Sequence, residues 1–133
     1  MSSRPFVTCS ALALFAVGVV LLFDPAILGA MPPTATLIVA LYAAAVTGLA
    51  LATWTGRAGP IGGIYGRALT MGNFGHAFIG ALSLVRPVLA AHGPVVWWGA
   101  LALYAALATG WGYLLFWSSG LPRVVSPDPS LSR

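Results

Sequence analysis

One apolar stretch, residues 65–86, holds the side chains best suited to chemistry inside a membrane. Asn73 and His76 stand near its middle, and an arginine stands near each end. At 3.6 residues per turn they share one broad helical face with two later residues, Gly80 and Ser83. Polar groups in hydrocarbon need hydrogen-bond partners, so we expect this face to turn into a helix bundle.

His76 has three alternative interpretations. In the first, a neutral imidazole bonds to Asn73, a threonine or a backbone carbonyl and fixes how the helices pack. In the second, it is an axial ligand of a haem or chlorophyll-type pigment, since Gly72 and Gly80 lie one turn either side and would admit a flat macrocycle. In the third, it responds to protons or contacts a transported substrate. Candidate partners on neighbouring spans are Thr47, Tyr104 and Thr109.

The sequence offers little for catalysis. Its only acids are Asp24 and Asp128, and it has two histidines and one cysteine. These residues form no Ser-His-Asp or Cys-His arrangement, carboxylate pair or metal-ligand spacing, so we expect no enzyme. The single Cys9 excludes an internal disulfide. The other histidine, His92, is expected at the outer edge of the protein, which argues against a bis-histidine haem. Apart from the haem or pigment alternative, no cofactor is expected.

The composition is that of a membrane protein. Of its 133 residues, 59% are hydrophobic and 6% are charged, whereas soluble domains have about 25% charged residues. We predict an all-α integral membrane protein, a bundle of four transmembrane helices, each needing about 20 residues. The third span is predicted to stop at Arg86-Pro87, and the Ser- and Pro-rich residues 118–133 to form a flexible tail. The spans are residues 6–23, 34–54, 68–85 and 95–117.

The arginines predict the orientation of these spans. With four spans, five arginines fall on one side of the membrane and only Arg86 on the other. Because positive charge is enriched on the cytoplasmic side, both termini should be cytoplasmic. The transport interpretation lacks the intramembrane carboxylate that small proton-coupled exporters generally use. The five arginines are Arg4, Arg57, Arg67, Arg123 and Arg133.

Charged residues at the membrane edges have simpler roles. Arg57 and Arg67 flank the second connection, which lacks a P-loop ending and a G-x-G-x-x-G order. We expect these two arginines to contact anionic lipid headgroups, with a docking loop for a partner as the alternative. On the outer side, Asp24 is expected to form a cap or turn at the end of the first span, beside Pro25. As an alternative, it pairs with Arg86 or His92 and so ties the first connection to the third.

Small residues at spacings of four predict where helices pack closely, because close backbone contact drives helix association in lipid. The glycines are more informative than the abundant alanines. We interpret these stripes as seams of the bundle, with a dimerisation face as the competing interpretation. The stripes are Ala40, Ala44, Gly48 and Ala52 in span two, Gly72, His76 and Gly80 in span three, and Ala102, Ala106 and Gly110 in span four.

The layout of the chain resembles that of small bacterial DoxX-like membrane proteins. The resemblance includes the four spans, the FDPAILG break after the first span and the third span, YGRALTMGNFGHAFIGALSL. It implies a four-helix membrane fold and little about activity, and no site residue follows from it. Abundant Ala, Gly, Pro and Arg without Lys is also typical of high-GC bacterial genomes.

Three functions remain as expectations. The leading one is a non-enzymatic protein of the bacterial cytoplasmic (inner) membrane, either an accessory or structural subunit of a larger complex or a homo-oligomer. The second is a protein that holds a hydrophobic ligand, haem or pigment against His76. The third is a small transporter or channel. The expected partners are membrane lipids and other membrane-protein subunits or copies of the chain, not nucleic acid.

Overall fold

The computed structural model describes residues 4–59, 63–90 and 95–117, and most of these are helical. The stretches contain four α-helices, each long and apolar enough to cross a membrane. The described part is therefore all-α and suggests a multi-pass membrane protein. The helices are α1 (Arg4–Phe23), α2 (Pro33–Gly56), α3 (Ile64–Ala90) and α4 (Val95–Phe116).

The third helix is longer than predicted. It begins at Ile64 and continues through Pro87 to Ala90, which corrects the predicted stop at Arg86-Pro87. Pro87 removes the helical hydrogen bond to the carbonyl of Ser83. The next residue, Val88, is only 1% exposed, so the last turn packs into the bundle and this packing offsets the missing bond. The predicted tail, which contains Arg123 and Arg133, lies outside the described residues. His92, in the third connection, also lies outside them.

Proline and glycine form the turn between α1 and α2. A short 3-10 helix, Pro25–Leu28, is followed by Gly29 with a φ of +111°. This backbone conformation suits glycine, because a Cβ would be strained there. Pro33 then occupies the first position of α2, where its missing N–H costs no helical hydrogen bond. The chain can thus reverse direction within a few residues.

The four helices surround one core in chain order. α1 packs along α2, and α3 along α4, with closely spaced backbones, whereas α2 and α3 approach closely at fewer points. α4 closes the ring against α1, where the rings of Phe6 and Trp111 meet edge-on with centroids 5.4 Å apart. The bundle therefore consists of two helical hairpins that meet mainly through side chains. The core contains Val7, Leu14, Val46, Ala50, Ala77, Leu107, Ala108, Trp111 and Leu114.

Glycines allow neighbouring helices to approach. At several glycines an added Cβ would overlap a side chain of the next helix, and we call such a position a filled glycine notch. Filled notches occur at every contact around the ring, so a missing Cβ contributes to each pairing of neighbours. Each glycine and the residue that fills its notch are Gly18 and Thr47, Gly56 and Leu69, Gly80 and Tyr104, and Gly110 and Phe6.

The predicted seams are only partly seams within this chain. Gly80 and Gly110 are filled notches, as predicted. By contrast, an added Cβ at Gly48 or Gly72 would meet no atom of the described chain within 4 Å. The stripe around Gly48 therefore faces outward, which corrects its assignment as an internal seam and favours the competing interpretation. The exposed small residues of the stripes are Ala44, Gly48 and Ala52 on α2, Gly72 on α3, and Ala102 and Ala106 on α4.

Filled and open glycines on the same helix should differ in their tolerance of alanine. We expect Gly80→Ala to lower the free energy of unfolding by about 1–3 kcal/mol, as overpacking does, because Tyr104 is 4% exposed and cannot move away freely. Gly75→Ala is the matched control, since nothing lies within 4 Å of its Cβ position. It should be neutral or stabilise by up to about 1 kcal/mol. Reversible unfolding in mixed micelles measures both, and equal losses would contradict the notch.

Candidate functional site at the middle of the bundle

A buried amide–hydroxyl contact joins α2 to α3. Asn73 is 1% exposed and Thr53 is fully buried. The Asn73 Nδ2 donates to Thr53 Oγ1 at 2.9 Å and to the Leu69 carbonyl at 3.0 Å. Asn73 therefore turns inward, as predicted, but its partner is Thr53. The candidate Thr47 instead donates to the Ala43 carbonyl at 2.8 Å and occupies the Gly18 notch.

A second polar contact, the His–Tyr cluster, consists of Tyr42, His76 and Tyr104. The Nε2 of His76 lies 3.2 Å from the hydroxyl of Tyr104, which also forms a short hydrogen bond with the hydroxyl of Tyr42. The His76 ring stacks on Tyr42, with centroids 6.1 Å apart and planes inclined by 24°. The inward partner Tyr104 was a predicted candidate and is confirmed.

The cluster lies halfway along the bundle. Tyr42, His76 and Tyr104 each stand within three residues of the midpoint of their helix. If the helices span a bilayer, the cluster therefore lies near its central plane, far from the headgroups. Polar groups at that depth are costly unless they are hydrogen-bonded. A joined set of hydroxyl and imidazole groups is one way to meet this constraint.

The Gly80 notch positions the cluster. Gly80 lies one turn after His76 on α3, and the ring of Tyr104 fills its notch. Tyr104 is thereby held against α3, and its hydroxyl reaches the imidazole. Tyr104 is 4% exposed, whereas Tyr42 is 39% exposed and His76 is half-buried. The cluster is therefore closed toward α4 and open along the outer edge between α2 and α3.

Other predicted members of the polar face do not join the cluster. Ser83 is exposed, so the inward-facing polar face predicted for α3 does not extend as far as Ser83. Gly72 is also exposed and open. Gly80 adds no room for a macrocycle, because the ring of Tyr104 occupies that space. The candidate Thr109 is exposed and donates to the Ala105 carbonyl at 2.8 Å.

The axial-ligand interpretation of His76 stays a prediction, with a new geometric requirement. The Nε2 of His76 already bonds to the hydroxyl of Tyr104. A haem or pigment on that nitrogen would therefore require Tyr104 to leave the Gly80 notch. The other ring nitrogen, Nδ1, has no hydrogen-bond partner within residues 4–59, 63–90 and 95–117.

The predicted edge residues lie outside the cluster. The guanidinium of Arg57 stacks 3.7 Å from the centroid of the Trp54 ring and donates to the Trp54 carbonyl at the end of α2. Arg67 is exposed in the first turn of α3, and its contact with lipid headgroups stays a prediction. Asp24 and Arg86 are both exposed. In the described part of the chain no ion pair joins these two, and the alternative partner of Asp24, His92, lies outside it.

Sequence reasoning missed two residues, Tyr42 and Thr53. Tyr42 carried a usable signal, because a tyrosine in the middle of a span is displaced from the membrane interface, where its hydroxyl would meet water. Such a hydroxyl needs a protein partner. Thr53 carried a weaker signal, since a helical threonine can satisfy itself on its own backbone. It does so here, with Thr53 Oγ1 donating to the Leu49 carbonyl at 2.8 Å.

Comparison with known proteins adds no assignment. No protein-family profile matches this sequence, and no curated protein or solved structure matches it significantly. The resemblance to DoxX-like proteins therefore stays a prediction, and function has to be argued from the geometry.

The contact between Asn73 and Thr53 should have a measurable coupling energy. In a double-mutant cycle with Asn73→Leu and Thr53→Val, we expect a coupling of about 0.6 kcal/mol, up to about 1.7 kcal/mol, as for hydrogen bonds between membrane helices. Unfolding in mixed micelles provides the four free energies. The control is Thr109→Val, which removes an exposed hydroxyl bonded only to its own helix and should show no coupling with Asn73→Leu. Additive effects of the two test substitutions would rule out the bond.

Proposed function

We propose that this chain is a non-enzymatic multi-pass membrane protein that acts by lateral association within the membrane. It would serve as an accessory or structural subunit of a larger membrane complex, or assemble with copies of itself. The observation that supports this proposal is the open glycine at the centre of the outer face of α2, Gly48.

The chain packs against itself through its glycines. Every contact around the ring of helices has a glycine notch filled by a side chain of the neighbouring helix. Gly48 lies mid-span on α2, and no atom of the described chain lies within 4 Å of its Cβ position. Helix association in lipid relies on such close approach of backbones. A side chain from another transmembrane helix would fill the Gly48 notch as Phe6 fills that of Gly110.

The surface around Gly48 suits a transmembrane partner. Ala44 and Ala52, one turn on either side, are also exposed, so a partner helix can approach the backbone of α2 over about two turns. No described residue of α2 is charged. An uncharged surface of this kind fits another apolar helix and offers nothing to a soluble or nucleic-acid partner.

The placement in the cell is also part of the proposal. We infer a bacterial cytoplasmic membrane protein, and the arginine distribution of the sequence supports the orientation with both termini in the cytoplasm. In that orientation Arg67, exposed at the start of α3, faces the anionic headgroups of the inner leaflet. The guanidinium of the neighbouring Arg57 stacks on the Trp54 ring. A stacked cation and aromatic ring suit the interface between membrane and water.

A second candidate function is the holding of a lipid-soluble molecule at the His–Tyr cluster. The open edge of the cluster and the unpartnered Nδ1 of His76 favour it. Transport, the third expectation, gains no such observation. The helices α1–α4 contain no acidic residue, and the cluster opens sideways between α2 and α3 and not toward either end of the bundle.

Lateral association predicts a specific cross-link. In a Cys9→Ser background, Ala52→Cys is labelled with a maleimide–diazirine and irradiated in native membranes. We expect one discrete protein adduct, identified by mass spectrometry as this chain or one partner, and we expect Gly48→Leu to abolish it because a larger side chain fills the notch. The matched control is Tyr113→Cys, which is exposed near the corresponding end of α4 and should label lipid only. Adducts unaffected by Gly48→Leu would refute the proposed interface.

The proposed orientation is tested with two further single cysteines. Gly59→Cys lies in the second connection and Ala26→Cys in the turn between α1 and α2, and both positions are exposed. In cells whose outer layers are removed and whose cytoplasmic membrane is intact, a membrane-impermeant maleimide should modify Ala26→Cys alone. Gly59→Cys should react only after permeabilisation, because cytoplasmic termini place the second connection inside. The reverse pattern would invert the topology.

A further inference from the structure

The His–Tyr cluster contains one more hydrogen-bond donor than it can use. Neutral Tyr42, Tyr104 and His76 together carry three polar hydrogens, one on each side chain. Two hydrogen bonds join the three groups, so two hydrogens are used and one remains. In the described part of the chain no further acceptor bonds to these groups. The cluster therefore lacks an acceptor.

The remaining hydrogen lies at the open edge of the cluster. Tyr104 is 4% exposed and stands between the other two groups, so its hydrogen is best used in one of the two bonds. If it donates to His76 Nε2, the free hydrogen is on Nδ1. If it donates to the hydroxyl of Tyr42, the free hydrogen is on that hydroxyl. In both arrangements the free donor is on a partly exposed side chain, Tyr42 or His76.

An unused donor at this depth has a large energetic consequence. An unpaired polar group in hydrocarbon is strongly disfavoured, and the cluster lies near the middle of the spans, where headgroups do not reach. The residues around it are apolar. Ala45 and Ile79, one turn after Tyr42 and His76, are exposed on the same helices. Gly72, one turn before His76, is open and leaves room beside the imidazole.

We propose that this edge binds a neutral, lipid-soluble carbonyl compound, whose oxygen accepts the spare hydrogen of the His–Tyr cluster. A carbonyl group supplies an acceptor and adds no donor. It can therefore bond the one hydrogen that the cluster leaves unused. A charged group is excluded at this depth because no described residue of opposite charge lies at the cluster. The stacked rings of Tyr42 and His76 carry the spare hydrogen, and the open position at Gly72 leaves room for the compound beside them.

This site deepens the second candidate function and does not depend on lateral association. Tyr42 and Gly48 are six residues apart on α2, which places them about 120° apart around the helix. A carbonyl compound bonded at Tyr42 and a partner helix packed at Gly48 would therefore use different faces of α2, which meet near Ala45 and Ala52. A failed cross-link from Ala52→Cys would leave this site intact, and a failed carbonyl site would leave the association intact.

Benzophenone is a suitable probe because its ketone both accepts a hydrogen bond and reacts with light. The excited carbonyl oxygen takes a hydrogen atom from a nearby C–H group, and the ketyl carbon then bonds to the carbon radical left on the protein. The full chain is irradiated with benzophenone in phosphatidylcholine nanodiscs, and the adducts are mapped by mass spectrometry. We expect them to concentrate beside the cluster, at Ala45, Gly72 and Ile79.

A matched pair of competitors tests the carbonyl directly. Dicyclohexyl ketone should suppress the labelling beside the cluster, whereas dicyclohexylmethane, which has a CH₂ in place of the carbonyl, should not. The double variant Tyr42→Phe/His76→Phe places a ring without a donor at both partly exposed positions, and the hydroxyl that remains on Tyr104 is on a side chain only 4% exposed. The double variant should lose labelling by about tenfold, as expected for one net hydrogen bond. Tyr113→Phe, on the exposed face of α4, is the control and should label like the unmodified chain.

Three results would overturn the proposal. These are adducts spread evenly over the lipid-facing helices, equal competition by the ketone and the hydrocarbon, and undiminished labelling of a folded double variant. If the double variant does not fold, the competition experiment on the unmodified chain decides alone. A further result would also count against the site. If benzophenone labelling is lost only when copies of the chain are cross-linked through Ala52→Cys, the labelled edge belongs to the contact with a partner helix.

Discussion

The approach of helix backbones at glycine is the constraint on which this bundle depends. In a lipid environment an apolar side chain gains little by leaving the hydrocarbon, so helices associate through van der Waals contact. That attraction is short-ranged and small for each atom pair, and it requires many atoms at close distance. A missing Cβ at Gly110 lets the ring of Phe6 reach the backbone of α4, and the Gly80 notch admits the ring of Tyr104. Close contact then takes the place of the hydrophobic driving force available in water.

Polar contacts add specificity where the backbones are less closely packed. The backbones of α2 and α3 approach less closely than those within either hairpin, and the hydrogen bond from Asn73 to Thr53 joins these two helices. A glycine notch accepts many apolar shapes, whereas an amide or imidazole requires a particular partner at a particular height. The two devices also depend on each other, because Tyr104 reaches His76 only while its ring fills the Gly80 notch.

The sequence predicted which residues of α3 turn inward better than it predicted their partners on the neighbouring helices. Composition and length were sufficient for the four spans, and helical periodicity correctly turned Asn73 and His76 inward. The periodicity failed at Ser83, because one face of a straight helix moves away from a neighbouring helix that crosses it at an angle. The predicted partner Thr47 and the observed partner Thr53 differ by six residues, or about 9 Å along the axis. That offset depends on how two whole helices pack, which no local pattern records.

The same limit explains the glycines. Gly48 and Gly110 have similar surroundings in the sequence, with alanines at spacings of four. One faces outward and the other receives Phe6. Which of them is buried depends on the rotation of each helix within the assembled ring. A periodicity of small residues therefore indicates that a close contact is favourable at that face, and it does not indicate which helix makes that contact.

The hairpin arrangement has a consequence for biogenesis. Before the hairpins dock, the side chains of Asn73 and Thr53 still bond to carbonyls of their own helices, at Leu69 and Leu49. The bond between His76 and Tyr104 lies entirely within the second hairpin. If the helices span a bilayer, each hairpin can thus enter it with most of its polar side chains already bonded. Docking of the two halves then exchanges few hydrogen bonds, so assembly in the membrane can follow synthesis without a long-lived exposed polar intermediate.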